Sequence, residues 1–301
     1  MTNRTTHVIA LTNQKGGCGK TTTTISLAAA LALEGKRVTI IDTDPQCNAT
    51  DSFGVDRDEL GREGRYTLAD AYLAKTPARD LELDFGDRFQ EMLRVVPGHR
   101  GLGTVSHRLE VQLQTAIANG EHSELDADDV KNEHRHRLKQ SVASLRGHRD
   151  FVLIDTPPDL GFLMTTALIA ADWYIVPVFP SGYDMSGLET LIRTVIKVRD
   201  RYNPRLDLLG VLMGNSDSRA KLDADIHSIL RENFSDERVF NTIINRSVKH
   251  REATVNNQTI FEHASGQQAA EQFKALALEI LARLESTARG ESEPMMEANR
   301  G

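Results

Sequence analysis

The run Asn13-Gln14-Lys15-Gly16-Gly17-Cys18-Gly19-Lys20-Thr21-Thr22 limits the possible folds of this chain more than any other stretch. A short apolar run, His7 to Leu11, precedes it and reads as a buried strand. After it, Ile25, Ala28, Ala29 and Ala32 recur at helical spacing through Thr23 to Leu33. Strand, glycine turn and helix together form the setting of a phosphate-binding loop. Glycines let backbone N–H groups curl around an anion, and the helix N-terminus adds a favourable dipole. Lys15 through Thr22 are therefore the candidate nucleotide-binding residues, namely Lys15, Gly16, Gly17, Cys18, Gly19, Lys20, Thr21 and Thr22. Lys20 would reach the β- and γ-phosphates, and the Thr21 hydroxyl would ligate Mg²⁺. The common form of the loop has a glycine where this chain has Gln14, and a lysine, Lys15, heads the variant K-G-G-x-G-K-T-T.

Acidic residues end two further strands. Arg37 to Ile41 is apolar enough to be buried and closes with Asp42-Thr43-Asp44-Pro45. Carboxylates at the carboxyl end of a strand in an open α/β sheet face the ligand crevice. Asp42 and Asp44 could be Mg²⁺ ligands, general bases or turn formers ahead of Pro45. Phe151 to Ile154, the strongest strand pattern in the chain, ends in Asp155. Beside a phosphate loop this is the Walker B arrangement, whose carboxylate holds Mg²⁺. Thr156-Pro157-Pro158 cannot continue the strand and must turn over the nucleotide.

Elsewhere Thr67 to Ala74 reads as helix, Arg79 to Gln90 as a charged stretch, and Met92 to Val96 as a third strand closed by Pro97-Gly98. Ser106 to Arg149 is polar, two helices joined by the acidic Gly120 to Asp129, with His134-Arg135-His136 on a solvated helix face. Helices at Leu160–Ala170 and Ser186–Arg201 precede strands at Trp173–Phe179 and Leu208–Met213, and Gln268–Leu284 is a final helix. Alternating strands and helices predict a doubly wound, mostly parallel α/β sheet with helices on both faces. One domain spans residues 1–287, followed by a polar, disordered tail over 288–301.

Composition removes several classes. No apolar run approaches the ~20 residues that cross a bilayer, and the polar Met1–Thr6 is no signal peptide. Two cysteines, Cys18 and Cys47, make neither a disulfide framework nor a metal site, which suits a reducing cytoplasm. A net charge of −7 argues against nucleic acid as a partner of the whole surface, yet leaves room for a local basic face.

With its lysine-headed loop, Asp42-Thr43-Asp44-Pro45-Gln46 and Asp155-Thr156-Pro157-Pro158, the chain resembles the ParA/MinD family of deviant Walker A P-loop ATPases over residues 7 to about 285. Cys47 stands where ParA proteins commonly have glycine. The resemblance implies ATP and Mg²⁺ as cofactors and an ATP-bound homodimer that sandwiches two nucleotides. Lys15 would cross to the partner's nucleotide, Lys20 would act on its own, and Asp44 would be the catalytic aspartate that orients water. Thr21, Asp44 and Asp155 would serve the metal, and Asn215 would lie in the adenine-contacting segment.

Within that family the redox branch needs cluster-ligating cysteines absent from Thr156 to Gly161, and the membrane branch needs a basic amphipathic tail. Here Gly290 to Glu297 is acidic and broken by Pro294, so no membrane is expected. Basic residues fit the DNA branch. Arg193, Lys197 and Arg201 share one side of a helix, Arg219 accompanies Lys221, and Arg246 accompanies Lys249 and Arg251. By resemblance, Arg219 and Lys249 fall where ParA proteins bind non-specific double-stranded DNA. The expectation is a cytoplasmic, nucleoid-associated ATPase, stimulated by a ParB-like or cargo adaptor protein, that partitions a plasmid or chromosome. Alternatives are a protein cargo such as a carboxysome or chemoreceptor cluster, and a MinD-like or non-hydrolysing nucleotide-gated switch. No helix-turn-helix precedes the loop, which argues against an operator-binding repressor.

Overall fold

In the computed structural model, residues 5–289 are described apart from 57–58, 61–65, 181–184 and 218. Seven strands form one sheet in the order β3-β4-β2-β5-β1-β6-β7. They are β1 (His7–Leu11), β2 (Val38–Asp42), β3 (Leu83–Asp84), β4 (Leu93–Val96), β5 (Phe151–Asp155), β6 (Trp173–Val178) and β7 (Asp207–Met213). All neighbours are parallel except β3 against β4.

The helices are α1 (Lys20–Leu33), α2 (Asn48–Asp51), α3 (Leu68–Leu73), α4 (Val105–Ala118), α5 (Ala127–Ala143), α6 (Phe162–Ala170), α7 (Met185–Arg201), α8 (Lys221–Phe234), α9 (Lys249–Val255), α10 (Ile260–His263) and α11 (Gln268–Ala288). Strand alternation divides the core in two. In β1, Val8 and Ala10 pack with α3 to α8, whereas Ile9 and Leu11 pack with α1, α2, α10 and α11. Because both faces are covered, β1, β2 and β5 read as continuous apolar runs rather than alternating ones.

Topology places the site. From β1 the chain passes through α1 to β2 on one side, and from β5 through α6 to β6 on the other side of β1. The crevice at this reversal opens at the carboxyl ends of β1 and β5.

Several expectations need correction. Arg79 to Gln90 contains two 3-10 turns around β3, a short antiparallel edge strand. Glu82, just before that strand, is a buried carboxylate bonded to Arg149 at 2.6 Å, which ties the edge to the sheet. His134 does not lie on a solvated face: it is 6% exposed, because α5 packs against α4 on one flank and α6 on another. The last helix runs to Ala288 rather than Leu284; of the expected tail, residues 290–301 lie outside the described residues. Helices α8, α9 and α10 were not anticipated.

Candidate functional site

Built from the backbone upward, the site begins where β1 ends. The Asn13 side chain fixes the loop entrance, donating to the Pro177 carbonyl at 2.8 Å and accepting from the Lys15 N–H at 3.0 Å. Gly17 and Gly19 hold left-handed φ values of +72° and +85°, and Gly19 caps α1. Only glycine enters that region without strain. The Lys20 side chain is 7% exposed and folds back across the loop, donating from Nζ to the Lys15 carbonyl at 3.2 Å. Its ammonium therefore sits beneath the cradle that a phosphate would fill. Lys15 itself is exposed at the loop's head. Cys18 is buried and its thiol is pushed up by desolvation despite the nearby Lys20 charge, so it is a poor nucleophile.

Acidic groups gather behind the loop. Thr21 donates its hydroxyl to Asp155 Oδ2 at 2.7 Å, and Thr24 reaches Oδ1 at 3.4 Å. Register places Asp42 opposite Asp155 in β2 and β5. Burial pushes both carboxyls up, Asp42 to about 6 and Asp155 to about 8, and the Asp42 charge adds to the rise at Asp155. Asp44 is 7% exposed and accepts the Gln46 N–H at 2.9 Å. Asp42 fills the turn-forming role open to it: its oxygens accept from the Asp44 N–H, the Thr50 N–H and the Thr50 hydroxyl. Cys47 takes φ +57°, the left-handed conformation in which glycine is the unstrained choice.

The donors fit Mg²⁺. Thr21, Asp44 and Asp155 offer only oxygen, the preference of a hard cation. Among the described residues no cluster of three or more His, Cys, Asp or Glu forms a closed metal cage. Mg²⁺ characteristically keeps waters and substrate phosphates among its ligands.

A cavity of about 680 Å³ opens beside the loop, lined by Lys15, Gly17, Pro158, Phe179 and Leu188 among others. Phe179 was not anticipated. Its ring lies against both Gly19 and Gly214: a Cβ on either glycine would meet it at 2.5 or 2.7 Å. One ring thus spaces the phosphate loop from the turn after β7, where Asn215 sits at φ +50°. No sequence signal could reveal it, since both partners are distant along the chain.

The three basic clusters expected from the sequence lie on different elements. Ser216 pairs with Asn245 in an isolated bridge, and the Arg246 N–H donates to Ser216 O at 2.8 Å. This joins the Arg219 loop to the segment bearing Arg246, Lys249 and Arg251. Arg193 and Lys197 lie on α7, in the layer on the opposite face of the sheet from α1, whereas α9 packs through His250 on Phe273 of α11. Carboxylates already hold some of these cations: Arg219 pairs with Asp217 at 3.1 Å, Lys249 with Glu252 at 2.8 Å, and Arg193 with Glu189 at 3.8 Å.

A phosphate loop whose threonine hydroxyl is bonded to a strand-end aspartate, at the switch point of a parallel sheet, defines a P-loop nucleotide-binding protein. An AAA domain family matches residues 6–208. The chromosome-partitioning ATPase Soj of Thermus thermophilus is 35% identical over 277 residues, 92% of this chain and 96% of the relative. The chromosome partitioning protein ParA of Caulobacter vibrioides is 33% identical over 281 residues, 92% and 94% of the two chains. Among solved structures, cobyrinic acid a,c-diamide synthase from Mycobacterium smegmatis with bound ATP analogue and magnesium superposes with a TM-score of 0.72 at 27% identity, covering 97% of this chain and 99% of the other. This chain belongs to the ParA family of the ParA/MinD superfamily of P-loop ATPases.

Proposed function

We propose that this protein is a Mg-ATP-dependent ParA-type partition ATPase whose ATP-bound homodimer binds non-specific DNA and releases it on hydrolysis. The carrying observation is the preformed cradle: Lys20 folded back across the loop, Thr21 tied to Asp155, and the buried Asp44 close enough for its charge to act on Asp155. When bound, Mg²⁺ neutralises charge on the phosphates. The loop N–H groups and Lys20 bind the β- and γ-phosphates, while Thr21 and Asp155 orient the metal side. Asp44 holds the attacking water. Lys15, exposed at the loop's head, reaches the partner subunit's nucleotide and stabilises charge that develops there.

DNA is favoured as cargo because the relatives named above partition chromosomes. Arg219, Arg246, Lys249 and Arg251 supply the phosphate contacts, with Arg193 and Lys197 a separate contribution from α7. Dimerisation brings two such sets onto one surface, which reconciles DNA binding with a net charge of −7. A ParB-like adaptor stimulates a slow intrinsic hydrolysis, and the protein is cytoplasmic and nucleoid-associated. Among the described residues no helix is long and apolar enough to cross a membrane.

The test is binding to a labelled duplex of arbitrary sequence with ATP, ADP or no nucleotide at two salt concentrations. Binding with ATP alone, weakened by salt and lost in Arg246→Ala and Lys15→Ala, supports the reading. Equal binding under all three nucleotide conditions refutes it.

A further inference from the structure

We propose that Thr50 is a positioning residue of the hydrolytic site, whose hydroxyl locks the loop bearing Asp44 between the ends of β2 and β4. The inference rests on the ATPase reading above and extends it to a residue that touches neither nucleotide nor metal.

Asp42 is wholly buried, and three donors occupy its carboxylate. Oδ1 accepts the Asp44 N–H at 3.2 Å; Oδ2 accepts the Thr50 N–H at 2.8 Å and the Thr50 hydroxyl at 2.6 Å. A hydroxyl has one hydrogen, and this one is spent on Asp42. Its lone pairs then face the Gly98 N–H, which donates at 2.9 Å. One oxygen atom thereby ties together the end of β2, α2 and the turn after β4.

The turn fits tightly. A Cβ on Gly98 would lie 3.0 Å from the Asp42 carbonyl oxygen, 3.1 Å from Asp42 Cγ and 3.1 Å from Cys47 Sγ. The loop between its two ends is itself closed, with the Cys47 N–H donating to Asp44 O at 2.8 Å. Asp44 therefore has little freedom of its own; its place follows from the Asp42–Thr50–Gly98 knot. Thr50→Val keeps the shape but removes both bonds of the hydroxyl, leaving the Gly98 N–H and Asp42 Oδ2 short of partners in a dry place. The hydrolytic carboxylate then drifts, while the phosphate loop, built on β1 and α1, stays intact.

The experiment compares wild type, Thr50→Val, Thr50→Ser and Gly98→Ala. Three quantities are read: steady-state ATP turnover with DNA present, Mg-ADP affinity, and amide exchange across residues 43–49 by mass spectrometry. Thr50→Val should lose about 10- to 100-fold in kcat, the scale of an ångström-sized misplacement. Its Mg-ADP affinity should hold within about twofold, because the binding groups are untouched. Thr50→Ser should restore turnover. Gly98→Ala, which removes no bond but crowds Asp42, should lose kcat as Thr50→Val does, and stands in for it if the valine variant does not fold. Wild-type turnover in Thr50→Val, a serine variant as impaired as the valine one, or an affinity loss matching the kcat loss would overturn the proposal. If wild type itself shows no turnover, the ATPase reading fails and exchange alone decides. Faster exchange confined to 43–49 in Thr50→Val supports the positioning role, and unchanged exchange there refutes it.

Discussion

Gly19→Ala would put a methyl group where the Phe179 ring already stands. Two effects add. The residue keeps φ +85°, a left-handed conformation that an L-side chain occupies at roughly 1–2 kcal/mol above its preferred wells. The new Cβ would also lie 2.5 Å from Phe179 Cζ and 2.7 Å from Cε1. The ring cannot retreat freely, since Gly214 confines it, with an added Cβ there 2.7 Å from the same ring. Overpacking of this kind destabilises by about 1–3 kcal/mol. Together the substitution should lower stability by about 2–5 kcal/mol. In a Phe179→Ala background only the backbone part remains, so the double-mutant cycle should return a coupling of about 1–3 kcal/mol. Urea unfolding of the nucleotide-free protein measures it, followed by the fluorescence of Trp173, the single tryptophan, on the strand that leads to Phe179. An equal loss in both backgrounds would mean that the ring swings clear, and the wedge argument would be wrong.

Thr21→Val removes the hydroxyl bonded to Asp155 and should weaken Mg-nucleotide binding about 10- to 100-fold while leaving the metal-free affinity nearly unchanged, as a titration with and without EDTA will show. Asp42 and Asp155 bind protons more tightly folded than unfolded, so the unfolded chain holds fewer protons between pH ~4 and the raised values of about 6 and about 8. Stability of the nucleotide-free protein should therefore fall as pH rises across that window, and Mg-ADP should flatten the slope; a melting temperature that climbs from pH 5 to pH 8 would contradict this. Asp217→Ala and Glu252→Ala release Arg219 and Lys249 from their ion pairs. Each should tighten DNA binding by no more than about fivefold, because solvent screens an exposed pair and leaves it weak. Weaker binding in a DNA titration would show instead that the carboxylates hold the cations in position.

What the sequence revealed and what it hid follow from locality. The phosphate loop, β1, β2 and β5 were legible because each is a continuous run whose chemistry sits within a few residues. The pairing of Thr21 with Asp155 could be foreseen from two motifs, since the fold that joins them is itself set by strand alternation. Strand β3 was hidden: two residues, Leu83 and Asp84, exist as strand only because Val95 and Arg94 lie beside them. Helix α8 did carry a signal, Ile226, Leu230 and Phe234 at four-residue spacing, and all three are buried. Lys249 looked available to phosphate, whereas Glu252, one helical turn on, holds it. Thr50 and Phe179 have partners far along the chain, Gly98 after β4 in one case and Gly19 in the phosphate loop with Gly214 after β7 in the other. No pattern along the chain encodes those contacts.

The packing of α1 against α11 has a consequence for synthesis. Helix α1, whose first turn carries Lys20 and Thr21, shares an apolar layer with Phe273, Ala277 and Ile280 of α11. On the ribosome the phosphate loop emerges early, but the helix that backs α1 is translated long afterwards. A nascent chain therefore carries the loop's residues without the wall that sets their geometry. The loop can take its final geometry only once α11 has joined the layer behind α1.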